Sequence, residues 1–158
     1  MPHIHEKIDF TVSTYIVNGN AVLLREHEKY SVWLPPGGHI ELDEDPVQAA
    51  IREAKEETGL DITLMPNGKN PTIKDGWNEN LLTPPHFMNR HLVGDSAHTH
   101  VDLTYMATTD SRELHPEDDE DSVRMHWFTK EELDDPQYRL KDVVKYYAKA
   151  ALDAAAKK

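Results

Sequence analysis

Residues 38–60 read GHIELDEDPVQAAIREAKEETGL, and this stretch decides how the rest of the chain is interpreted. Asp45 followed by Pro46, with Gln48 three positions after Asp45, is a helix start: an N-cap acceptor, a proline at the first helical position and a capping-box partner. Gly59 supplies the stop, as a left-handed residue just past the helix end. Between them Val47, Ala50, Ile51, Ala54 and Thr58 follow the i, i+3, i+4, i+7 spacing, which predicts an inward face. The small alanines on it predict a close approach to a sheet.

At about 100° per residue, Glu53, Glu56 and Glu57 share one face of this helix, away from the apolar stripe. Glu56 and Glu57 lie in the last turn, where the helix dipole favours cations, and Glu53 opposes Glu57 at i, i+4. Each effect costs a few tenths to about 1 kcal/mol. Stability alone does not select this arrangement. A divalent cation reverses the balance, because clustered carboxylate oxygens suit hard ions such as Mg²⁺ or Mn²⁺. Arg52, one turn before Glu56, is placed to orient it through a charge-assisted hydrogen bond. The competing reading is a solvated acidic helix face.

The surroundings weigh against that plainer reading. Gly38, then Glu44, then Arg52-Glu53-Ala54-Lys55-Glu56-Glu57-Thr58-Gly59-Leu60 resembles the Nudix box of the Nudix hydrolase family, of MutT-like type, at every fixed position. Ala54 is a mild departure, since the family usually carries a larger aliphatic residue there. The preceding Trp33-Leu34-Pro35-Pro36-Gly37-Gly38-His39-Ile40-Glu41 is also similar to the family's approach to the box, with Pro36 added. A constraint spread over so many positions is far more specific than a lone short motif.

The resemblance implies an α/β fold, an α/β/α sandwich with a mixed β-sheet, and Mg²⁺ or Mn²⁺ as cofactor. It implies a metal site of Glu44, Glu53, Glu56 and Glu57, with Gly38 and Gly59 structural and Arg52 as the orienting residue. It leaves the general base open among Glu56, Glu57 and a glutamate from the acidic loop before the last strand. Glu120 is the best-placed match in that loop, with Glu117 as fallback.

The chain has 158 residues, expected to form one domain with a core over about residues 8–150 and a substrate-recognition insertion over 66–97. Its sequence has no run of 18 apolar residues and no basic-then-apolar leader, so the expectation is a cytoplasmic protein with neither a membrane span nor secretion. Zero cysteines exclude disulfides and thiolate metal sites. The formal charge of −12 argues against nucleic acid as a partner. It does not oppose a phosphorylated small molecule, because a bound cation presents positive charge locally.

Along the rest of the chain, Phe10–Val17 is rich in β-branched and aromatic residues and predicts a strand, with Asn18-Gly19 turning into a second strand over Ala21–Arg25. Ser31–Leu34 predicts a short third strand and Asp61–Met65 another after the helix. Within 66–97, Thr72–Lys74 and Phe87–Val93 are candidate strands. Its large apolar residues either cover the sheet or, in the sharper reading, Trp77 or Phe87 stacks on a nucleobase.

Thr99–Thr108 predicts a strand whose alternation puts His98, His100 and Asp102 on one face. That polar face reads as substrate-binding, with His98 and His100 contacting phosphate or leaving group, or as a metal site of two histidines and a carboxylate, or as a solvated edge. His3 and His5 are weaker candidate ligands. Val123–Phe128 predicts the last strand. Thr129 with Glu132 opens a short helix, and Asp135-Pro136 starts the final one, with Tyr138, Val143, Val144 and Tyr147 facing inward and a fraying alanine-rich tail.

The function expected is metal-dependent hydrolysis of a phosphoanhydride bond in a nucleoside diphosphate linked to another moiety, with a small-molecule nucleotide or other diphosphate as substrate. The alternatives are a non-catalytic ligand-binding module of the same fold, an isomerase or transferase-like use of it, and a hydrolase of a non-nucleotide diphosphate. Neither the proline nor the tyrosine that marks ADP-ribose or dinucleoside polyphosphate subgroups stands downstream of the box. That leaves a nucleoside triphosphate, a nucleotide sugar or something less usual. Dimers are common among relatives, so a homodimer is open.

Overall fold

The computed structural model describes residues 4–27, 31–69, 81–117 and 123–157. Strands β1 (Ile8–Asn18), β2 (Ala21–His27), β3 (Val32–Leu34), β4 (Gly37–His39), β5 (Thr63–Leu64), β6 (Phe87–Leu92), β7 (Thr99–Thr108) and β8 (Met125–Thr129) form one sheet. Two helices, α1 (Pro46–Thr58) and α2 (Asp142–Ala156), pack on its opposite faces. The predicted candidate strand at Thr72–Lys74 lies outside the described residues.

β1 is the centre of the sheet. It pairs in parallel with β7 along its whole length, from Ile8 opposite Thr99 to Val17 opposite Thr108. Its other edge is shared by two antiparallel partners, β2 at the Val17–Asn18 end and β4 at Thr11–Ser13. The Pro35-Pro36 pair turns the chain from β3 into β4, and the Thr14 N–H donates to the Pro36 carbonyl at 2.8 Å. This split brings the glycines of β4 beside the central strand. The tight hairpin into β2 needs a left-handed residue, supplied by Gly19 with φ 61°.

Alternation along β1 sorts the two layers. Tyr15 and Val17 face α2 together with Val22, Leu24, Met106, Phe128, Val144, Ala148, Ala151 and Leu152. Val12 and Ile16 face α1, against Ala49, Ala50 and Ala54. The mixed sheet between helices is the sandwich that the box resemblance implies.

Several local expectations are corrected. Ile51 is 45% exposed, whereas Ala49, Ala50, Glu53, Ala54 and Thr58 form the buried face of α1. The alanines allow a backbone approach that a larger side chain would block, so the inward face is turned away from Ile51 and takes in Glu53. Asp135-Pro136 opens only a 3₁₀ turn, Pro136–Tyr138, which ends at Arg139 in the left-handed region (φ 50°). The final helix therefore begins at Asp142. Val143 is exposed, Tyr138 packs on Trp33 and Phe128 from outside the helix, and Ala148 and Ala151 are fully buried, so the alanine-rich segment is core rather than frayed tail. Thr129 and Glu132 do exchange the capping-box bonds, at 2.8 and 3.3 Å, around a single 3₁₀ turn.

Candidate active site

The ends of α1 are fixed as their residues require. Asp45 accepts from the N–H groups of Val47 and Gln48 at 2.8 and 2.9 Å, and Gln48 accepts the Asp45 N–H at 2.9 Å. At the other end Gly59 adopts φ 76° and donates to the Lys55 carbonyl. A Cβ on Gly59 would stand 2.3 Å from the His115 carbonyl oxygen, because residues 114–117 dock on this end of the helix. The His115 N–H bonds the Thr58 carbonyl and the Glu117 N–H bonds the Glu56 carbonyl, at 2.9 and 2.8 Å.

Arg52 ties three carboxylates together. Its Nε and Nη2 donate to Glu44 at 3.0 and 2.5 Å, and its Nη1 donates to Glu53 at 2.9 Å and to Glu56 at 3.1 Å. The remaining direction of Nη2 is used on the His39 carbonyl at 3.0 Å. Arg52 thus orients Glu44 and Glu53 as well as Glu56, a wider role than the sequence suggested. The Arg52 hydrogen bond holds the Glu44 carboxyl below its usual range. Burial pushes Glu53 the other way, against the opposing pull of Arg52.

Glu53 is 5% exposed and lies against β4, where a Cβ on Gly38 would meet its Oε1 at 2.3 Å. Glycine at this position is what lets the carboxylate occupy the space. Glu57 is held separately: it accepts the Gly37 N–H at 2.9 Å and forms a short ion pair with Arg25. The structure therefore brings Glu44, Glu53, Glu56 and Arg52 into one network, with Glu57 adjoining through β4. Glu117 stands beside it, lining a surface cleft with Gln48, Ile51, Arg52, Lys55 and Glu56. Glu120 lies outside the described residues.

Oxygen donors of four glutamates, one of them buried where its charge is disfavoured, fit a hard divalent cation. The close-fitting glycine at position 38 preserves the donor that a larger residue would displace. Arg25 and the Gly37 N–H were missed by sequence reading. Arg25 ends an apolar strand segment, and its partner Glu57 is 32 positions away.

The residues read as substrate-binding are distributed differently. His98 is buried on the α2 side of the sheet, and its neighbours His100 and His39 cluster there with Asp9. Asp102, read as the carboxylate partner of these histidines, accepts the hydroxyls of Thr11, Ser13 and Thr104 at 2.8, 2.9 and 2.8 Å. Asp9, opposite His100 in the β1–β7 register, is the carboxylate that reaches them. Burial and the neighbouring histidines push His100 down to about 4. Phe87 stacks on Tyr147, with centroids 4.3 Å apart, and packs against the main core. That contact occupies one face of its ring. Trp77 and His3 lie outside the described residues. No helix among the described residues is long and apolar enough to cross a membrane.

Comparison with known proteins agrees with this architecture. The NUDIX domain family matches residues 7–149. A NUDIX family hydrolase from Clostridium perfringens is 38% identical, with a TM-score of 0.81 over 93% of this chain and 97% of that one. Among curated relatives, the m7GpppN-mRNA hydrolase NUDT17 of Danio rerio is 40% identical over 62 residues, 35% of this chain and 21% of the relative. A probable DHNTP pyrophosphohydrolase of Lactococcus lactis is 28% identical over 110 residues, 70% of this chain and 60% of the relative. The chain thus spans a minority of the NUDT17 proteins it matches but nearly all of the Clostridium structure. With the family matched over almost its full length, and the box carboxylates assembled around Arg52 and Gly38, the chain belongs to the Nudix hydrolase family.

Proposed function

We propose that this chain is a divalent-metal-dependent pyrophosphohydrolase that cleaves a phosphoanhydride bond in a nucleoside diphosphate linked to another group. The observation that carries this reading is the assembly of Glu44, Glu53 and Glu56 on one arginine, with Glu57 adjoining through β4. Relatives named as hydrolases of m7GpppN-mRNA and of DHNTP support the class of bond.

Glu53, Glu56 and Glu57, with Glu44, would hold Mg²⁺ or Mn²⁺. The bound ion would supply charge neutralisation for the diphosphate oxygens and acidify a water. Arg52 keeps the carboxylates from spreading apart under mutual repulsion. Gly38 leaves room for Glu53. Arg25, already beside Glu57, offers a guanidinium with the fork geometry that suits phosphate oxygens. Glu56 has the most exposed of the box carboxylates, with 40% of its side chain accessible against 18% for Glu57 and 6% for Glu53. It is therefore the favoured proton acceptor over Glu57, with Glu120 the acceptor from the acidic loop.

The test is phosphate and pyrophosphate release across nucleoside triphosphates, nucleotide sugars, ADP-ribose and dinucleoside polyphosphates, each with Mg²⁺ or Mn²⁺. Turnover with at least one nucleotide that stops on chelation supports the reading. A folded, metal-loaded protein that releases nothing from any of them would instead favour a non-nucleotide diphosphate or a non-catalytic binding role.

A further inference from the structure

The opposite face of the sheet carries a second polar cluster that the proposed hydrolysis does not use. Asp9 is fully buried, and His98 is 6% exposed. One ligand atom each from Asp9, His98 and His100 lies within 4.8 Å of the others. His98 Nε2 is 3.3 Å from Asp9 Oδ2. For ion–ligand bonds of about 2.0–2.1 Å, two donors of a tetrahedral ion stand about 3.3–3.4 Å apart. The pair already has that separation.

Surrounding contacts orient two of the three donors, His98 and Asp9. His98 Nδ1 is 3.0 Å from the Glu6 carbonyl, so the ring's other nitrogen is directed at Asp9. This is the usual outer contact of a metal-binding imidazole. The Asp9 carboxylate receives the His5 N–H at 2.7 Å and the Ile4 N–H at 3.2 Å, while His39 Nε2 approaches its Oδ2 at 3.1 Å. His100 is central, with the rings of His39, His98 and His91 at 5.0, 5.4 and 5.6 Å, and it keeps partial access to solvent.

We infer that Asp9, His98 and His100 form a second metal site, for a zinc-class divalent ion, on the sheet face opposite α1. Imidazole nitrogens with a single carboxylate suit Zn²⁺ and its first-row neighbours, whereas Mg²⁺ prefers an all-oxygen set. A cation also balances the charge of a fully buried carboxylate. Three protein ligands leave a fourth position for water or for His39. The ion would clamp the segment from Ile4 to Asp9 onto β7, and the site stands whether or not the proposed hydrolysis is correct.

The experiment uses the full chain carrying Glu53→Gln and Glu57→Gln, so that the box contributes little binding. Co²⁺ is titrated by visible absorption, Zn²⁺ by equilibrium dialysis with elemental analysis, and thermal melting is followed with and without Zn²⁺. The expected result is one equivalent of tightly held Zn²⁺, tetrahedral Co²⁺ bands that Zn²⁺ displaces, and a raised melting temperature. Adding Asp9→Asn or, separately, His100→Gln weakens Zn²⁺ at least about tenfold. If Asp9→Asn does not fold, His100→Gln decides, since its side chain is the less buried. Absence of stoichiometric binding by the folded parent, or binding that survives His100→Gln unchanged, overturns the site and leaves Asp9 as an ion-pair partner of histidines.

Discussion

The two polar clusters meet at β4 and differ in how they are built. Successive residues of a strand point to opposite faces. Gly38 therefore gives its space to Glu53 on the α1 side, and His39 reaches Asp9 on the other. The box cluster is mainly local: Arg52, Glu53, Glu56 and Glu57 come from one helix, and a single guanidinium organises most of it. The histidine cluster is non-local, assembled from β1, β4, β6, β7 and the turn before β7. Charge is handled differently as well. Carboxylates in the first are balanced by Arg52 and Arg25, whereas a single buried carboxylate in the second faces imidazoles.

The largest effect expected is on the box side. Glu53→Gln or Glu57→Gln is expected to lower turnover about 100-fold or more, the size seen when one preorganised electrostatic group is removed, measured as kcat on the best substrate of the panel. Wild-type turnover in either variant would remove that glutamate from the site.

Gly38→Ala sharpens the comparison, because the strand it alters serves both clusters. Its Cβ would collide with the far end of the Glu53 side chain, which must swing aside, so reduced turnover is expected together with a stability loss of no more than about 1 kcal/mol by chemical denaturation. Unchanged turnover would mean that the Glu53 carboxylate can move aside without loss. Gly59→Ala meets both a left-handed backbone and the His115 carbonyl, and a destabilisation of about 1–3 kcal/mol is expected. Ile51→Ser, on the exposed face of α1, should change stability by less than about 0.5 kcal/mol. A larger loss would show that Ile51 packs inward after all.

The smallest effect concerns His86, away from both clusters. Its Nδ1 accepts the Met106 N–H at 3.2 Å, and burial lowers its affinity for protons below the ordinary value of 6.5, with the Pro66 carbonyl opposing. Between the folded and unfolded values the unfolded chain binds more protons, so this contribution is complete above about pH 6.5 and is lost as pH falls below it. His86→Asn, which keeps an acceptor, is expected to flatten that part of the stability-versus-pH curve. An identical slope in the variant would assign the loss to other groups.

What the sequence disclosed follows the same division. The caps of α1, the box carboxylates and the main strands were legible because each depends on neighbours within a few positions. The rotation of α1 was not, because Ile51 and Ala49 trade burial according to how closely the helix meets the sheet. Asp9 was overlooked one residue before the predicted strand, and Asp102 was preferred because alternation alone cannot report which hydroxyls will claim a carboxylate. Arg25 meets Glu57 only through the packing of α1 against the sheet, and Asp9 meets His100 only through the register of β1 and β7.

Whether Glu53 and Glu57 hold the catalytic ion is tested by the Mg²⁺ dependence of turnover in wild type, Glu53→Gln and Glu57→Gln on one cleaved nucleotide. Saturable activation by Mg²⁺ is expected in the wild type, with both variants needing more Mg²⁺ and reaching a lower maximum. Equal Mg²⁺ requirements in all three proteins, or turnover that persists without a divalent ion, would contradict it.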